Sequence, residues 1–396
     1  MYEISGNYAR KVVTLEGGNK FDEDMRYFLS VGEASGDIHA AELMKELKRI
    51  DAKAEFAFLG GDLMREVTGH APIVDYREMA YMGFSEVLRN LGKVLGNLKR
   101  AKKALADARP DALILVDYPS FNLKLAKEAQ RLGIPTYYYI SPKVWAWKEY
   151  RVKQIKRYVR RVFSILPFEV EWFKKHDYEV SYVGNPSVEE IEQRMTQIPA
   201  REEFLKGNNL PDRPILALVP GSRRGEIRNN LPTMLEVASR YPQYQSVIAG
   251  APGIDKEIYS AMTSLPVVTG VTFELMSHST AALVTSGTAT LEAALLRTPQ
   301  VVCYRANGSK LSYNLFKRIL KIPYVSLPNL IAGNEIVKEM LLHHCTPDKV
   351  ATELEKVLPN GIGHHAQLDG YTLMRDRLGN KKAATETATA IYKDLS

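Results

Sequence analysis

Residues 214–241 read PILALVPGSRRGEIRNNLPTMLEVASRY and combine two kinds of periodicity. The first seven residues (214–220) form a continuous apolar run, which is typical of a strand buried on both faces of a sheet. Residues 229–241 repeat apolar side chains at helical spacing, and GSRRGEI (221–227) forms the turn between the two. A buried strand that leads through a short glycine-containing turn into a helix predicts one unit of a parallel α/β sheet.

The same alternation of strand and helix extends along most of the chain. A helix is predicted at 40–50, whereas the charged, proline-containing segment 185–214 is predicted to be a linker. We therefore predict an α/β protein with two Rossmann-like domains that face each other across a cleft. Their predicted bounds are 25–200 and 201–396, and we allow for the last helices to pack back on the first domain. The other predicted strands are RYFLSV (26–31), EFAFLG (55–60), ALILVD (112–117), TYYYIS (136–141), VFSILP (162–167), VSYVG (180–184), SVIAGAP (246–252), AALVTS (281–286) and QVVCYR (300–305).

The composition excludes several classes of protein. The 396 residues are 45% hydrophobic and 25% charged, which is ordinary for a globular protein and excludes fibrous and disordered classes. The net charge of +7 is compatible with an anionic partner but does not identify one. Two cysteines, Cys303 and Cys345, are too few for a disulfide framework. No run of 18 apolar residues occurs, so we expect a cytoplasmic protein without a membrane span.

The chain also lacks several motifs that would identify its chemistry. No GxGxxG follows the first predicted strand and no GxxxxGK[ST] occurs, which removes the main support for NAD-binding and P-loop classes. No histidine or cysteine cluster has the spacing of metal ligands. Residues 1–24 are mixed and polar and have no signal-peptide core, so we expect a disordered leader or a start site placed too early.

Two loops in the second half of the chain have the residues of phosphate sites. Each follows a predicted strand and opens a helix, where backbone N–H groups and the helix dipole favour an anion. Glu292, one turn into the second helix, is placed to accept hydrogen bonds from ribose hydroxyls. Each loop alone is equally compatible with an ordinary turn and a helix cap, but the pair favours a nucleoside diphosphate. The candidate anion-binding residues are Gly221, Ser222, Arg223, Ser286, Gly287 and Thr288.

Two loops in the first half carry carboxylates at predicted strand ends. VGEASGD (31–37) contains Glu33, Ser35 and Asp37, which are candidates either for contact with an acceptor or for capping a helix. VDYPSFN (116–122) places Asp117 directly after a buried strand. Asp117 is a candidate general base, although a turn-forming aspartate is equally compatible with the spacing.

A basic, amphipathic segment lies between these loops, at 79–103. Its apolar residues recur at helical spacing, and the part from Arg89 to Lys103 has six basic residues and no acidic one. Such a helix is compatible with an anionic membrane surface and equally with packing on its own core. A second basic cluster at 148–161 has a local charge of +6, which suggests an anionic surface or a phosphorylated acceptor. The apolar residues are Phe84, Val87, Leu88, Leu91, Val94, Leu95 and Leu98.

Nine motifs together resemble the lipid-A-disaccharide synthase family, over about residues 25–345. The resemblance implies a metal-independent, inverting glycosyltransferase with the GT-B fold, known from Gram-negative bacteria. It implies transfer of 2,3-diacylglucosamine from UDP-2,3-diacylglucosamine to 2,3-diacylglucosamine 1-phosphate, with formation of the β-1,6 lipid A disaccharide 1-phosphate and UDP. It implies no cofactor or nucleic acid, and a peripheral position on the cytoplasmic face of an anionic inner membrane. The motifs are VGEASGD, MGFSEVL, VDYPSFN, YYISPKVWAW, ILPFE, VGNP, LVPGSRRGEI, TSGTATLEAAL and YVSLPNLIAG.

The resemblance also assigns roles to residues. It matches the essential aspartate of the family to Asp117, a phosphate-contacting arginine to Arg223 and an asparagine of the nucleotide site to Asn329. It implies that Glu33 is one of the catalytic groups and that Glu292 contacts the nucleotide. The acceptor or membrane surface that it implies consists of Ser35, Met82, Phe84, Val87, Leu88, Lys99 and Arg100.

One departure from the family pattern and two alternative functions accompany this assignment. Gly225 stands where the family pattern predicts serine or a similar residue. The alternatives are a UDP-N-acetylglucosamine 2-epimerase of the same fold and a non-enzymatic protein that binds a nucleotide or an anionic lipid. An epimerase needs no surface for acyl chains, so the apolar basic segment argues against it.

Overall fold

A computed structural model describes residues 25–79, 91–146, 148–285, 287–305 and 323–396 of the chain. In these residues the strands form two separate parallel sheets, each covered by helices. The prediction of an α/β protein built from two Rossmann-like domains is confirmed. Residues 1–24, Met82, Phe84, Val87, Leu88 and Ser286 lie outside the described residues, so the predictions made for them have no structural counterpart here.

The first sheet has seven strands in the order β3-β2-β1-β4-β5-β6-β7. The order reverses between β1 and β4, so the loops that follow these two strands meet at the carboxyl edge of the sheet. The strands are β1 (Arg26–Ser30), β2 (Glu55–Gly60), β3 (Val74–Asp75), β4 (Ala112–Val116), β5 (Thr136–Tyr139), β6 (Arg161–Ser164) and β7 (Ser181–Tyr182). The helices of this half are α1 (Ala34–Ile50), α2 (Asp62–Thr68), α3 (Leu91–Ala108), α4 (Pro119–Leu132), α5 (Val152–Tyr158) and α6 (Phe168–Lys174).

The second sheet has six strands in the order β10-β9-β8-β11-β12-β13, which repeats the order of the first six strands of the other sheet. Here the reversal lies between β8 and β11. The strands are β8 (Ile215–Val219), β9 (Gln245–Gly250), β10 (Val267–Thr269), β11 (Ser279–Val284), β12 (Gln300–Tyr304) and β13 (Lys338–Leu341). The helices are α7 (Pro186–Met195), α8 (Arg201–Gly207), α9 (Arg224–Ala238), α10 (Glu257–Ser260), α11 (Thr272–Ser277), α12 (Thr288–Leu295), α13 (Leu327–Ala332), α14 (Pro347–Val357), α15 (His364–Leu378) and α16 (Ala383–Leu395).

The central strands are apolar on both faces because helices cover both faces of each sheet. In β4, Leu113 and Leu115 pack into one hydrophobic cluster, whereas Ile114 and Val116 pack into the cluster on the opposite face. This alternation with a period of two is the geometry of a strand. It explains why continuous apolar runs identified the central strands from the sequence.

Helix α16 packs on the first domain. Ala383, Ala388 and Ile391 belong to the hydrophobic cluster that also holds α1 and β4. The Tyr137 hydroxyl of β5 donates to Asp394 at 2.5 Å, and the Arg160 guanidinium pairs with the same carboxylate at 2.7 Å. The chain therefore crosses between the two domains twice, once before α8 and again before α16.

Several predicted elements differ from the observed ones. The prediction of a linker at 185–214 is wrong in part, because this segment contains α7 and α8. The first helix begins at Ala34 instead of 40, and the helix predicted at 229–241 spans 224–238 with Pro232 inside it. The short edge strands β3, β10 and β13 were not predicted, since two to four residues of mixed polarity give no clear periodicity.

Candidate active site

A cavity of about 670 Å³ opens at the carboxyl ends of β8 and β11, where the strand order of the second sheet reverses. Both predicted phosphate loops line it, so the structure brings the candidate residues of the second domain together. The loop and helix residues that line the cavity are Gly221, Ser222, Arg223, Glu226, Thr285, Gly287, Thr288 and Glu292, together with Arg194 and Phe273.

The loop after β8 is shaped to present a backbone amide to an anion. Gly221 has φ of +118°, and a Cβ atom there would lie 2.6 Å from the Glu226 carboxylate, so only glycine fits. The Ser222 N–H donates to Glu226 Oε2 at 3.1 Å. The exposed Arg223 guanidinium lies 3.9 Å from the same carboxylate. The Glu226 carboxylate thus contacts both the amide and the arginine that this loop offers to an anion.

The loop after β11 provides a second set of donors. Gly287 has φ of +151°, and Thr288 is the first residue of α12, so the start of this helix faces the cavity. Thr285 is 4% exposed, and its hydroxyl has no hydrogen-bond partner among the residues that the structure describes. A buried hydroxyl without a partner is uncommon, and its place in the cavity wall suits a ligand that supplies the missing hydrogen bond. The sequence analysis named the neighbours of Thr285 but not Thr285 itself.

Glu292 and Arg194 face the cavity from two different helices. Burial raises the pKa of the Glu292 carboxyl, the charge of Arg194 acts against this rise, and Glu190 and Glu274 add to it. The Arg194 guanidinium lies 4.3 Å from the centre of the Phe273 ring, which fixes it by a cation–π contact. Arg194 belongs to α7, in the segment predicted to be a linker, so the sequence analysis gave no signal for it.

Asn329 does not line this cavity. Its side chain is fully buried and makes four hydrogen bonds within the chain. The amide nitrogen donates to the Val337 carbonyl and to Glu339, each at 2.9 Å, and the oxygen accepts from the N–H groups of Ile336 and Val337 at 2.7 and 2.9 Å. Both donors and both acceptor sites of this amide are therefore used within the protein. Asn329 thus stabilises the loop that precedes β13.

The loops after β1 and β4 form the corresponding site in the first domain. Asp117 and Tyr118 both have positive φ, +44° and +46°, so the chain turns sharply at the end of β4. The Asn122 amide donates to the carbonyl oxygen of Asp117 at 2.8 Å, and the Tyr138 hydroxyl donates to the same oxygen. The Tyr118 ring lies directly over Gly32, where a Cβ atom would approach within 2.2 Å of it. These contacts fix the aspartate where the two loops meet.

The electrostatic surroundings of Asp117 suit a general base. Burial raises the pKa of the Asp117 carboxyl, and the negative charge of Glu33 adds to this rise. The charge of Lys143 and a hydrogen bond from the Tyr118 N–H act in the opposite direction. Glu33 is half-buried and accepts a hydrogen bond from the Ser35 hydroxyl at 2.8 Å. The structure therefore places Asp117, Glu33 and Ser35 in one neighbourhood.

Asp37 has a structural role. It is 3% exposed, and its carboxylate accepts from the N–H groups of Gly61 and Leu63 at 2.7 and 3.1 Å. These are backbone donors at the start of α2 that have no partner within the helix. Asp37 thus caps α2, and of the two carboxylates in VGEASGD only Glu33 faces Asp117.

Glu169 is a buried carboxyl that the sequence analysis did not single out. It is 1% exposed and accepts from the Trp145 indole N–H at 2.7 Å, and it also contacts the Ser164 hydroxyl. Burial raises its pKa to about 7, against the effect of both hydrogen bonds and of the nearby Lys143. Trp145 belongs to a hydrophobic cluster that joins the two domains and includes Leu291 of α12. Glu169 thus supports a contact between the domains, close enough to Asp117 for their charges to interact.

The basic segment is less uniformly basic than its sequence suggests. The expectation of six uncompensated charges is wrong, because Arg100 pairs with Glu78 at 3.1 Å, Lys102 with Glu128 at 3.2 Å and Lys103 with Asp107 at 2.7 Å. Their acidic partners follow or precede the segment, so counting charges within it could not find them. No ion pair with any described residue engages Lys93 or Lys99.

The apolar stripe of this segment divides into two parts. Leu98 packs on the core of the first domain together with the buried Ala101 and Leu105. Leu95 is 50% exposed, on the part of α3 nearer its start. The described residues contain no group of three potential metal ligands, and none of their helices is long and apolar enough to cross a membrane.

Comparisons with known proteins agree with the motifs in the sequence. The family model described as lipid-A-disaccharide synthetase matches residues 27–391. The chain is 41% identical over 380 residues to the lipid-A-disaccharide synthase of Myxococcus xanthus, which covers 93% of the chain and 97% of that protein. The lipid-A-disaccharide synthase of Geobacter metallireducens is 36% identical with the same coverage.

Solved structures of low sequence identity share the fold. UDP-GlcNAc 2-epimerase from Neisseria meningitidis, bound to UDP-GlcNAc, gives a TM-score of 0.63 at 14% identity and covers 94% of this chain and 99% of its own. CalG4, the calicheamicin glycosyltransferase, gives 0.57 at 12% identity, with coverages of 94% and 99%. At these identities the likeness extends to the two-domain fold alone.

Proposed function

The chain belongs to the lipid-A-disaccharide synthase family, and from this premise we propose a specific reaction and an assignment of roles to its two domains. The proposed reaction transfers 2,3-diacylglucosamine from UDP-2,3-diacylglucosamine to 2,3-diacylglucosamine 1-phosphate. Its products are the β-1,6-linked disaccharide 1-phosphate and UDP. Residues 25–200 are assigned to the acceptor and residues 201–396 to the UDP-sugar.

The donor occupies the cavity at β8 and β11 in this proposal. Its diphosphate binds the Ser222 amide and the Arg223 guanidinium in place of the Glu226 carboxylate that contacts them. The start of α12 supplies further donors at Gly287 and Thr288. Glu292 accepts from the ribose hydroxyls, as its place in the cavity wall allows. Arg223 and these amides stabilise the negative charge of the departing UDP, so the reaction needs no metal ion.

Asp117 is the proposed general base, and inversion at the anomeric carbon follows from a single in-line displacement. The acceptor 6-oxygen forms a bond to C1 of the donor sugar while the bond from C1 to the UDP oxygen breaks. The proton of the 6-hydroxyl passes to the Asp117 carboxylate. The observation that carries this assignment is the place of Asp117 at the end of β4, where Asn122 and Tyr138 hold its carbonyl oxygen and fix the residue beside Glu33. Burial and the Glu33 charge raise the pKa of its carboxyl, which makes the carboxylate a stronger base.

Glu33 and Ser35 are proposed to complete the acceptor side. Their hydrogen bond at 2.8 Å holds the Glu33 carboxylate near Asp117, where its charge contributes to the raised pKa of the base. Asn329 is proposed as a positioning residue of the nucleotide domain, since its four hydrogen bonds order the loop around Glu339.

The acyl chains of both substrates imply that the reaction takes place at a lipid surface. We therefore propose that the enzyme binds the cytoplasmic face of an anionic inner membrane. The start of α3 supports this, because the half-exposed Leu95 lies close to Lys93 and Lys99, whose charges no described carboxylate compensates. Arg100 contributes less than the resemblance implies, since it pairs with Glu78.

The decisive experiment is mass spectrometry of purified protein mixed with both acylated substrates. We expect disaccharide phosphate and UDP in equal amounts from the wild type. Asp117→Asn should lower turnover by roughly 10²- to 10⁴-fold while UDP affinity, measured by calorimetry, stays within a factor of two or so. Near wild-type turnover of Asp117→Asn would make Glu33, or His39 of α1 on which the Glu33 charge acts, the better candidate. Conversion of UDP-N-acetylglucosamine to its 2-epimer without disaccharide would contradict the proposed function itself.

A further inference from the structure

Arg151 is a buried cation of the first domain. It is 8% exposed and ends a short 3₁₀ turn, Glu149–Arg151, that follows β5. One guanidinium N–H donates to the Ser120 hydroxyl at 2.7 Å, and no carboxylate of the described residues lies within 4.0 Å of the group. An arginine has five N–H donors, and burial of its charge without a counter-ion is costly. Such a group suits an anion that arrives with a ligand.

The surroundings of Arg151 connect it to the proposed base. Ser120 lies in the first turn of α4, three residues after Asp117. The Tyr138 hydroxyl donates to the Asp117 carbonyl oxygen, and the charge of Arg151 acts on this hydroxyl. Burial is the main cause that raises the pKa of Tyr138, and the arginine opposes it. Arg151 therefore lies at the start of α4, directly after the turn that contains Asp117.

Lys143 brings a second positive charge to the same place. It is exposed on the loop after β5, and its charge acts on both Asp117 and Glu169. No ion pair within the described residues engages it. Lys143 thus lies near the Asp117 carboxyl, and Arg151 lies at the start of the helix that follows Asp117. Both are well separated in sequence from Arg223 of the donor cavity.

We propose that Arg151 and Lys143 form an anion-binding subsite beside Asp117 that takes the phosphate monoester of the acceptor sugar. This inference rests on the proposed function, because it concerns the acceptor of that reaction. C1, which carries the phosphate, and C5, which carries the 6-hydroxymethyl group, are both bonded to the ring oxygen, so the base and the phosphate site must be adjacent without coinciding. Arg151 offers paired donors to two phosphate oxygens, and Lys143 adds a point charge. The subsite makes the acceptor bind with its 6-hydroxyl towards Asp117.

The test compares two acceptors, one with the 1-phosphate and one with a free 1-hydroxyl. Arg151→Gln and Lys143→Met should each lower kcat/KM for the phosphorylated acceptor by roughly 10- to 100-fold, the range for hydrogen bonds to charged groups. The ratio of kcat/KM for the phosphorylated acceptor to that for the 1-hydroxyl acceptor should fall by at least about tenfold in each variant. An effect of the lost charge on Asp117 is common to both acceptors and cancels in this ratio, so a fall in the ratio reports the loss of the preference for phosphate. Lys127→Met, an exposed lysine further along α4, is the matched control and should keep the wild-type preference.

Equal losses with both acceptors would overturn the subsite. Because Lys143 is exposed, its variant tests the subsite even where Arg151→Gln fails to fold. Absence of transfer by the wild type to either acceptor would instead contradict the proposed function. The subsite is then tested by titration of inorganic phosphate, with UDP in excess to fill the donor cavity. Equal phosphate affinity of wild type and Lys143→Met under these conditions would overturn it, and weaker affinity of the variant would support it.

Discussion

Glu169→Gln should stabilise the protein at neutral and alkaline pH. Glutamine keeps the shape of the protonated acid, since its oxygen can accept from the Trp145 indole and its NH₂ group can donate to the Ser164 hydroxyl. The carboxyl of Glu169 is 1% exposed, and burial raises its pKa from 4.5 to about 7. The folded wild type must therefore ionise a buried group at high pH, whereas the variant has nothing to ionise there.

The magnitude follows from the linkage between protonation and folding. Below pH 4.5 the carboxyl is protonated in both the folded and the unfolded chain, and the two proteins should have nearly equal stability. Between pH 4.5 and about 7 the unfolded chain ionises first, so the wild type loses stability as the pH rises. Above pH 7 the loss is complete. At 1.36 kcal/mol per pKa unit it amounts to about 3 kcal/mol.

Urea unfolding at several pH values from 4.5 to 8 measures this difference. The free energy of unfolding of Glu169→Gln minus that of the wild type should rise from near zero to about 3 kcal/mol over this range. Glu171→Gln, an exposed glutamate two residues further on, is the matched control and should stay within about 0.5 kcal/mol of the wild type throughout. A difference that does not vary with pH would refute the reasoning, because the effect would then come from packing instead of ionisation.

Three further outcomes are expected. Arg223→Ala should weaken UDP binding by about 1.5 kcal/mol, the lower end for a charged hydrogen bond because this arginine is 71% exposed; unchanged affinity in calorimetry would remove it from the diphosphate site. Glu292→Gln should also weaken UDP binding, and a 2′,3′-dideoxyribose analogue should abolish the difference; an equal loss with both nucleotides would mean that Glu292 supports α12 instead. Lys93→Gln combined with Lys99→Gln should weaken cosedimentation with anionic vesicles, by about 1 kcal/mol for each lysine at low salt, and leave binding to neutral vesicles unchanged. Membrane binding that resists both the substitutions and salt would show that these lysines are merely solvated.

The sequence predicts the centre of each sheet better than its edges. β4 and β8 are fully buried, and each is a short continuous apolar run in the sequence, which predicts a buried strand. The edge strand β3 has two residues, and β13 reads KEML, so neither carries a strand pattern. The charged residues of 185–214 suggested a linker. Most of them instead lie on the faces of α7 and α8 that are exposed to solvent. Burial, which the sequence does not reveal directly, distinguishes these cases.

In the candidate site, the sequence predicts the loops that follow evident strands but not the contacts between residues far apart in the chain. The loops that contain Gly221, Gly287 and Asp117 could be predicted, because ligands bind at the carboxyl ends of parallel strands and each loop follows an evident strand. The contact of Arg194 with Phe273 joins residues far apart in the chain, and so does that of Trp145 with Glu169. No spacing rule brings such residues together. Only the tertiary packing of the folded chain does.

The last helix also affects how the protein assembles as it is made. Residues 383–395 supply Ala383, Ala388 and Ile391 to the core of the first domain, although some 200 residues of the second domain precede them. A ribosome at about 5–20 residues per second needs roughly ten seconds or more to reach them. During that time the surface of α1 that packs against α16 in the folded protein is uncovered. The domain that is synthesised first is therefore completed last, and a chain that stalls before α16 exposes a surface suited to capture by chaperones.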